Sequence, residues 1–139
     1  MAKLLGELVA VRVLQVGWEV SEVVPVPMAS NRRRERGYNH AKVIAENLAT
    51  RVGKPCVDRL FVKKPLRHQI GLGQKQRKEN VQGAFGVKDC AGVNGKSLLL
   101  LDDVMTTGAT LSECAKTLIG EGASRIYAAC VALEEVRRS

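Results

Sequence analysis

The stretch Ser-Leu-Leu-Leu-Leu-Asp-Asp-Val-Met-Thr-Thr-Gly-Ala-Thr, residues 97–110, restricts this 139-residue chain more than any other part of it. Four consecutive leucines suit a strand buried on both faces, as in the middle of a parallel sheet. Asp102 and Asp103 stand where that strand is expected to leave the sheet, and hydroxyl residues and Gly108 follow them. Leu111, Cys114, Ala115, Leu118 and Ile119 then recur at helical spacing. The order is strand, acidic pair, small-residue loop, helix. In open α/β sheets ligands bind beyond the carboxyl ends of the strands, and backbone N–H groups at a helix start attract phosphate. Carboxylates repel phosphate, but they accept hydrogen bonds from sugar hydroxyls or hold a hydrated Mg2+. Together these features point to a sugar phosphate.

The remainder of the chain limits the setting. Its length suits one domain with a real core. No apolar run approaches the length of a membrane span, and Glu7 and Arg12 break up anything resembling a signal peptide. A cytoplasmic protein with no membrane association is expected. Cys56, Cys90, Cys114 and Cys130 are scattered, and His40 and His68 are the only histidines, which excludes the usual zinc spacings and a disulfide framework. The net charge of +8 is uneven: residues 31–80 carry fourteen Lys/Arg against four Asp/Glu, and the remainder is slightly acidic. A polyanion or a small, highly charged phosphate compound fits such a region.

In chain order, residues 3–16 read as a helix without an N-cap, with an apolar stripe that includes Leu4, Leu8 and Val11. Such an opening suits part of a longer protein. Trp18 is expected to anchor packing. Residues 22–27 read as a strand that leaves regular pairing near Pro25. A loop with Arg32, Arg33, Arg34 and Arg36 follows. Asn39 then caps a helix whose stripe is Ala41, Ile44, Ala45, Leu48 and Val52, ended by Gly53. Residues 56–62 read as a strand. Residues 63–82 are basic and poor in core residues and read as a mobile flap, with a helical turn over 75–80. A short strand at 83–87, a turn at 89–96, the opening motif and a last buried strand at 124–133 complete the chain. Alternation of strands and helices predicts an α/β three-layer sandwich: a central, mostly parallel β-sheet flanked by helices.

Other phosphate motifs fail here. A G-x-x-x-x-G-K-[ST] loop would end at Gly95-Lys96-Ser97, but Cys90 occupies its first glycine position, and the segment precedes a strand instead of following one. An Asp-x-Asp pattern is broken by Val104, and a dinucleotide loop at Gly71 and Gly73 meets Gln76 in place of its third glycine.

Leu98 to Thr110, taken position by position, resembles the signature of the type I phosphoribosyltransferases. Val24-Pro25-Val26-Pro27, Arg36-Gly37-Tyr38-Asn39, Gln69-Ile70-Gly71-Leu72, Arg77, Asn80-Val81 and Gly83-Ala84-Phe85 further resemble the competence protein F family, phosphoribosyltransferase-like proteins associated with DNA uptake. Two departures stand out: the chain lacks the N-terminal cysteine-rich zinc module common in that family, and Leu66 stands where a hydroxyl residue is usual.

The resemblance implies the type I phosphoribosyltransferase fold and phosphoribosyl pyrophosphate as substrate, with Mg2+ as cofactor. Backbone amides and hydroxyls of Met105, Thr106, Thr107, Gly108, Ala109 and Thr110 would hold the 5′-phosphate. Asp102 and Asp103 would be the catalytic carboxylates, holding the ribose hydroxyls directly or through hydrated Mg2+. Arg32, Arg36, Arg67, Lys75 and Arg77 would hold pyrophosphate. His68 receives no role, and no residue presents itself as general base for the acceptor. The alternative class is a binding protein, a sensor or a scaffold for a DNA-processing protein partner; a homodimer is a further candidate assembly. Direct single-stranded DNA binding is not expected, because such sites interleave aromatics with positive charge and only Tyr38 and Phe61 lie within residues 31–80.

Overall fold

The leucine strand is the centre of the structure, a computed structural model that describes residues 1–28, 38–66, 73–105 and 107–133. It is the nine-residue strand β4 (Ser97–Met105), with β1 (Glu22–Pro25) on one side and β5 (Arg125–Leu133) on the other, all parallel. Side chains alternate across a strand. Leu98 and Leu100 accordingly enter one core, with Val24, Leu111, Cys114 and Leu118, while Leu99 and Leu101 enter another, with Val23, Ile44, Ala45 and Leu48. All four leucines are completely buried. That two-sided burial is why the run shows no polar alternation.

Two helices cover the second face. One is α1 (Ala2–Val16) and the other α2 (His40–Val52), which the Asn39 side chain caps as expected by accepting from the Lys42 N–H at 3.4 Å. The stripe Leu4, Leu8, Val11 on α1 does not face the core, however: these residues are 54–58% exposed, and Gly6, Ala10 and Val13 are buried instead. Close approach of the helices selects the small-residue face. A Cβ on Gly6 would sit 2.7 Å from the Asn47 Cβ, so only glycine allows this crossing. Trp18 does anchor packing, by stacking on Tyr127 of β5 with ring centroids 4.7 Å apart.

The first face carries the helix after the leucine strand and a hairpin. Residues 56–62 do not form the continuous strand expected of them. The backbone pairs with β1 only around Cys56, where Val23 N–H donates to Pro55 C=O and Val57 N–H to Val23 C=O. It then turns away into β2 (Leu60–Val62), which pairs antiparallel with β3 (Phe85–Val87). Arg59 explains the departure. Its guanidinium bonds both carboxylate oxygens of Glu22, at 2.9 and 2.6 Å, and Lys96 Nζ reaches the same carboxylate at 2.6 Å. This buried cluster ties the hairpin to the amino end of the sheet. It also employs Lys96, which the phosphate-loop pattern would have assigned elsewhere.

The connection between β2 and β3 contains a two-turn helix, α3 (Gln74–Val81), longer than the expected turn. A one-turn helix, α4 (Cys90–Val93), lies within the expected turn at 89–96, and α5 (Ala109–Gly120) follows β4. Helices on both faces of a mostly parallel sheet make the predicted three-layer α/β sandwich. Among the described residues no helix is long and apolar enough to cross a membrane.

Candidate functional site

The site is set by where β1 stops. Its last register pair is Pro25 with Leu101, after which Val26 N–H donates to Leu101 C=O at 2.9 Å. Pro25 has no N–H for the ladder, so pairing ends there, as expected. β4 runs on through Met105, paired among the described residues with β5 alone. Asp102 and Asp103 therefore lie inside the strand and not beyond it, just past the step where β1 stops pairing with β4. Their carboxylates take up backbone donors locally: Asp102 Oδ1 accepts from Asp103 N–H at 2.9 Å, and Asp103 Oδ1 from Val104 N–H at 3.0 Å.

Position within a strand has a chemical consequence. Adjacent side chains leave opposite faces of the sheet. Asp102 projects to the α5 face, beside Cys114 and Cys130. Burial raises the Cys114 thiol well above the ordinary range, and the negative charge of Asp102 adds to it; the Cys130 thiol is raised by the same two causes in the same order. Asp103 leaves toward the α2 face. The two carboxylates consequently do not form one cage, and among the described residues no cluster of three His, Cys, Asp or Glu could hold a metal. This donor set fits Mg2+ only as an ion with several waters, brought by a phosphate ligand and met by one or two carboxylates.

The loop after β4 turns on Gly108, whose φ of 80° and ψ of 4° put it in the left-handed region. An L side chain there would be strained. Gly108 is the N-cap of α5 and provides no side-chain cap; Thr107 Oγ1 lies 3.3 Å from the Ala109 amide and accepts from it. The turn thus starts a three-turn helix directly after the carboxyl end of β4, and the dipole at such a helix start favours an anion. Met105, Thr107, Ala109 and Thr110 are half-buried around it. Thr106 lies outside the described residues.

The basic candidates divide. Lys75 and Arg77 are on α3, which packs on α5, the first exposed and the second half-buried. Arg32, Arg36 and Arg67 lie outside the described residues. Asn39 Nδ2 donates to Val26 C=O at 3.1 Å, so the described chain resumes beside the carboxyl end of β1, near the acidic pair. Asn39 was expected to cap a helix, and it also ties the start of that helix to the end of β1. Two further residues had no assigned role. Asn80 is 8% exposed, and Glu113 bonds the backbone of Gly83. Asn80 could have been suspected as a polar residue directly before the one apolar residue of α3.

Comparison with known proteins agrees with this geometry. The chain is 32% identical over 108 residues to competence protein F of Haemophilus influenzae, a match covering 75% of this chain and 46% of that protein. It is 30% identical over 110 residues to the DNA utilization protein YhgH of Salmonella typhimurium, covering 78% and 48%. The chain thus spans about half the length of these curated relatives. Among solved structures, adenine phosphoribosyltransferase from Saccharomyces cerevisiae superposes with a TM-score of 0.62 at 12% identity, covering 94% of this chain and 66% of that one. That likeness is one of fold. The family model for the phosphoribosyl transferase domain matches residues 24–139, and the chain belongs to that family.

Proposed function

We propose that this chain binds phosphoribosyl pyrophosphate, accompanied by Mg2+, and transfers its phosphoribosyl group to an acceptor with release of pyrophosphate. The observation that carries the reading is the junction of β4 and α5. There an acidic pair, at the step where β1 stops pairing with β4, leads into a left-handed glycine turn that starts helix α5.

The chain's residues divide the work. The amides and hydroxyls of residues 105–110 bind the 5′-phosphate, with Gly108 keeping the approach open. Asp103 and Asp102 accept from ribose hydroxyls and place negative charge near the sugar ring. When bound with the substrate, a hydrated Mg2+ would be held through its waters by Asp102 or Asp103 and would neutralise leaving-group charge. The bond from the anomeric carbon to the pyrophosphate oxygen breaks and its electron pair leaves with pyrophosphate. A lone pair of the acceptor then forms the new bond, and the acceptor's proton passes to solvent. Positive charge on the ring is stabilised electrostatically by the carboxylates, and the departing pyrophosphate by Lys75 and Arg77, with Arg32, Arg36 and Arg67 assigned to the same task. Residues 63–82 act as a flap that excludes water.

The names of the curated relatives support a role in competence or DNA utilisation. They also motivate a second reading, in which the site binds phosphoribosyl pyrophosphate without turnover, as a sensor or scaffold for a DNA-processing protein. Thermal-shift titration with phosphoribosyl pyrophosphate, with and without Mg2+, tests both. Stabilisation of about 2.7 kcal/mol at a hundredfold excess over Kd is expected for a ligand that binds only the folded state. Pyrophosphate release with added bases or amines then separates enzyme from sensor, and no shift under either condition would remove the ligand from the account.

A further inference from the structure

Glu113 has no part in the chemistry proposed above, yet it bridges two of its components. It lies in the second turn of α5, five residues after the Gly108 turn. Its Oε1 accepts from Gly83 N–H at 2.9 Å, thirty residues away in sequence. Gly83 is the root of the β2–β3 connection. Lys63 N–H donates to Ala84 C=O at 2.6 Å, and Lys64 Nζ donates to Gln82 C=O at 2.5 Å. The two ends of the connection are thereby closed on each other, and Glu113 fastens the closed root to α5.

The contact continues into the core. Val81, Ala84 and Phe85 share one apolar cluster with Leu111, Cys114 and Leu118 of α5. Helix α3 would not hold its place by composition, since Val81 is its one apolar residue. Nor is its start fastened by a full capping box: Gln76 Oε1 accepts from Gly73 N–H at 3.2 Å, but glycine has no side chain to return the bond. Its last turn, buried at Asn80 and Val81, and the Gly83 amide just beyond it hold α3 in place.

We infer that Glu113 is a positioning residue that holds α3 against α5, so that the pyrophosphate-binding side chains of α3 keep a set distance from the 5′-phosphate turn. This rests on the proposed binding of phosphoribosyl pyrophosphate and assigns Glu113 a role in discriminating its two ends. A ligand that spans both elements depends on the clamp; one that reaches only the turn does not.

The test compares phosphoribosyl pyrophosphate with ribose 5-phosphate by calorimetric titration of the wild-type chain, Glu113→Ala and Glu113→Gln, with amide hydrogen exchange read at Gly83. In Glu113→Ala, exchange at Gly83 rises by about tenfold or more, the loss of one charge-assisted bond. Affinity for phosphoribosyl pyrophosphate falls by a similar factor, while affinity for ribose 5-phosphate stays within about twofold. Glu113→Gln keeps an acceptor oxygen and restores most of both effects. Equal weakening of the two ligands would mean that Glu113 merely supports α5, and would overturn the inference. So would unchanged affinity for phosphoribosyl pyrophosphate, or unchanged exchange at Gly83. If the wild-type chain binds neither ligand, the functional reading falls, and the Gly83 exchange rates alone decide whether the clamp exists.

Discussion

Replacing Glu22 by Gln tests the account of the hairpin quantitatively. The substitution keeps the volume and removes the charge that Arg59 and Lys96 share at 2.6–2.9 Å. Arg59 is 9% exposed, and its remaining carboxylate, Asp89, stands 3.6 Å away. Breaking a buried pair by removing one partner costs about 3–5 kcal/mol. The side chain of Lys96 is 37% exposed and Asp89 remains near Arg59, so screening and the second carboxylate reduce this to about 2–3 kcal/mol at pH 7. The pH dependence has a defined sign. Burial alone would raise the Glu22 carboxyl, but hydrogen bonds from Arg59 and Lys96 outweigh it and hold it below the usual carboxylate range. A carboxyl lowered on folding contributes stability that is fully present above its unfolded pKa and is lost as pH falls through the folded one. Urea unfolding of both chains should therefore show the full gap at pH 7, narrowing in acid below about pH 4. A gap under about 0.5 kcal/mol at pH 7, or one that does not shrink in acid, would refute the argument that this cluster tethers the hairpin.

Gly108→Ala places a side chain at a φ of 80° and should cost about 1 kcal/mol of stability in urea titration, with a larger loss of phosphate-ligand affinity. Asp102→Asn and Asp103→Asn should have separable effects on ligand affinity, because the two side chains leave opposite faces of β4; identical, fully interchangeable effects would contradict that geometry. With an aromatic disulfide reagent at pH 8, Cys90 should be labelled first, since it is exposed. Cys56, whose thiol burial raises to about 11, should lag, and Cys114 should react only as fast as the chain opens.

What the sequence could convey depended on whether the deciding contact was local. The leucine run, the Asn39 cap, the Gly53 helix end and the exit at Pro25 are each decided within a few residues, and each stands as read. Residues 56–62 were misread as one strand because their alternative partner, β3, and the Arg59 tether to Glu22 lie more than twenty residues away. Apolar periodicity identified α1 as a helix but not its buried face, because both faces are apolar and a close crossing at Gly6 made the choice. Helix α3 was read as a single helical turn, shorter than it is, because it buries only Asn80 and Val81 and so shows no apolar stripe. The acidic pair was placed beyond the strand because sequence cannot reveal that β5 extends four residues past the end of β1, which puts both carboxylates within β4. The fold class survived these errors, since none of them affects the β1–β4–β5 order.

The central claim is that the turn between β4 and α5 receives the 5′-phosphate of a phosphoribosyl group. Backbone amide chemical shifts during titration with phosphoribosyl pyrophosphate and Mg2+ test it most directly. The account predicts the largest changes at residues 105–110, with smaller ones at Asp102, Asp103, Lys75 and Arg77. Saturable binding whose shifts lie elsewhere, or no change in the amides of this turn at millimolar ligand, would contradict it.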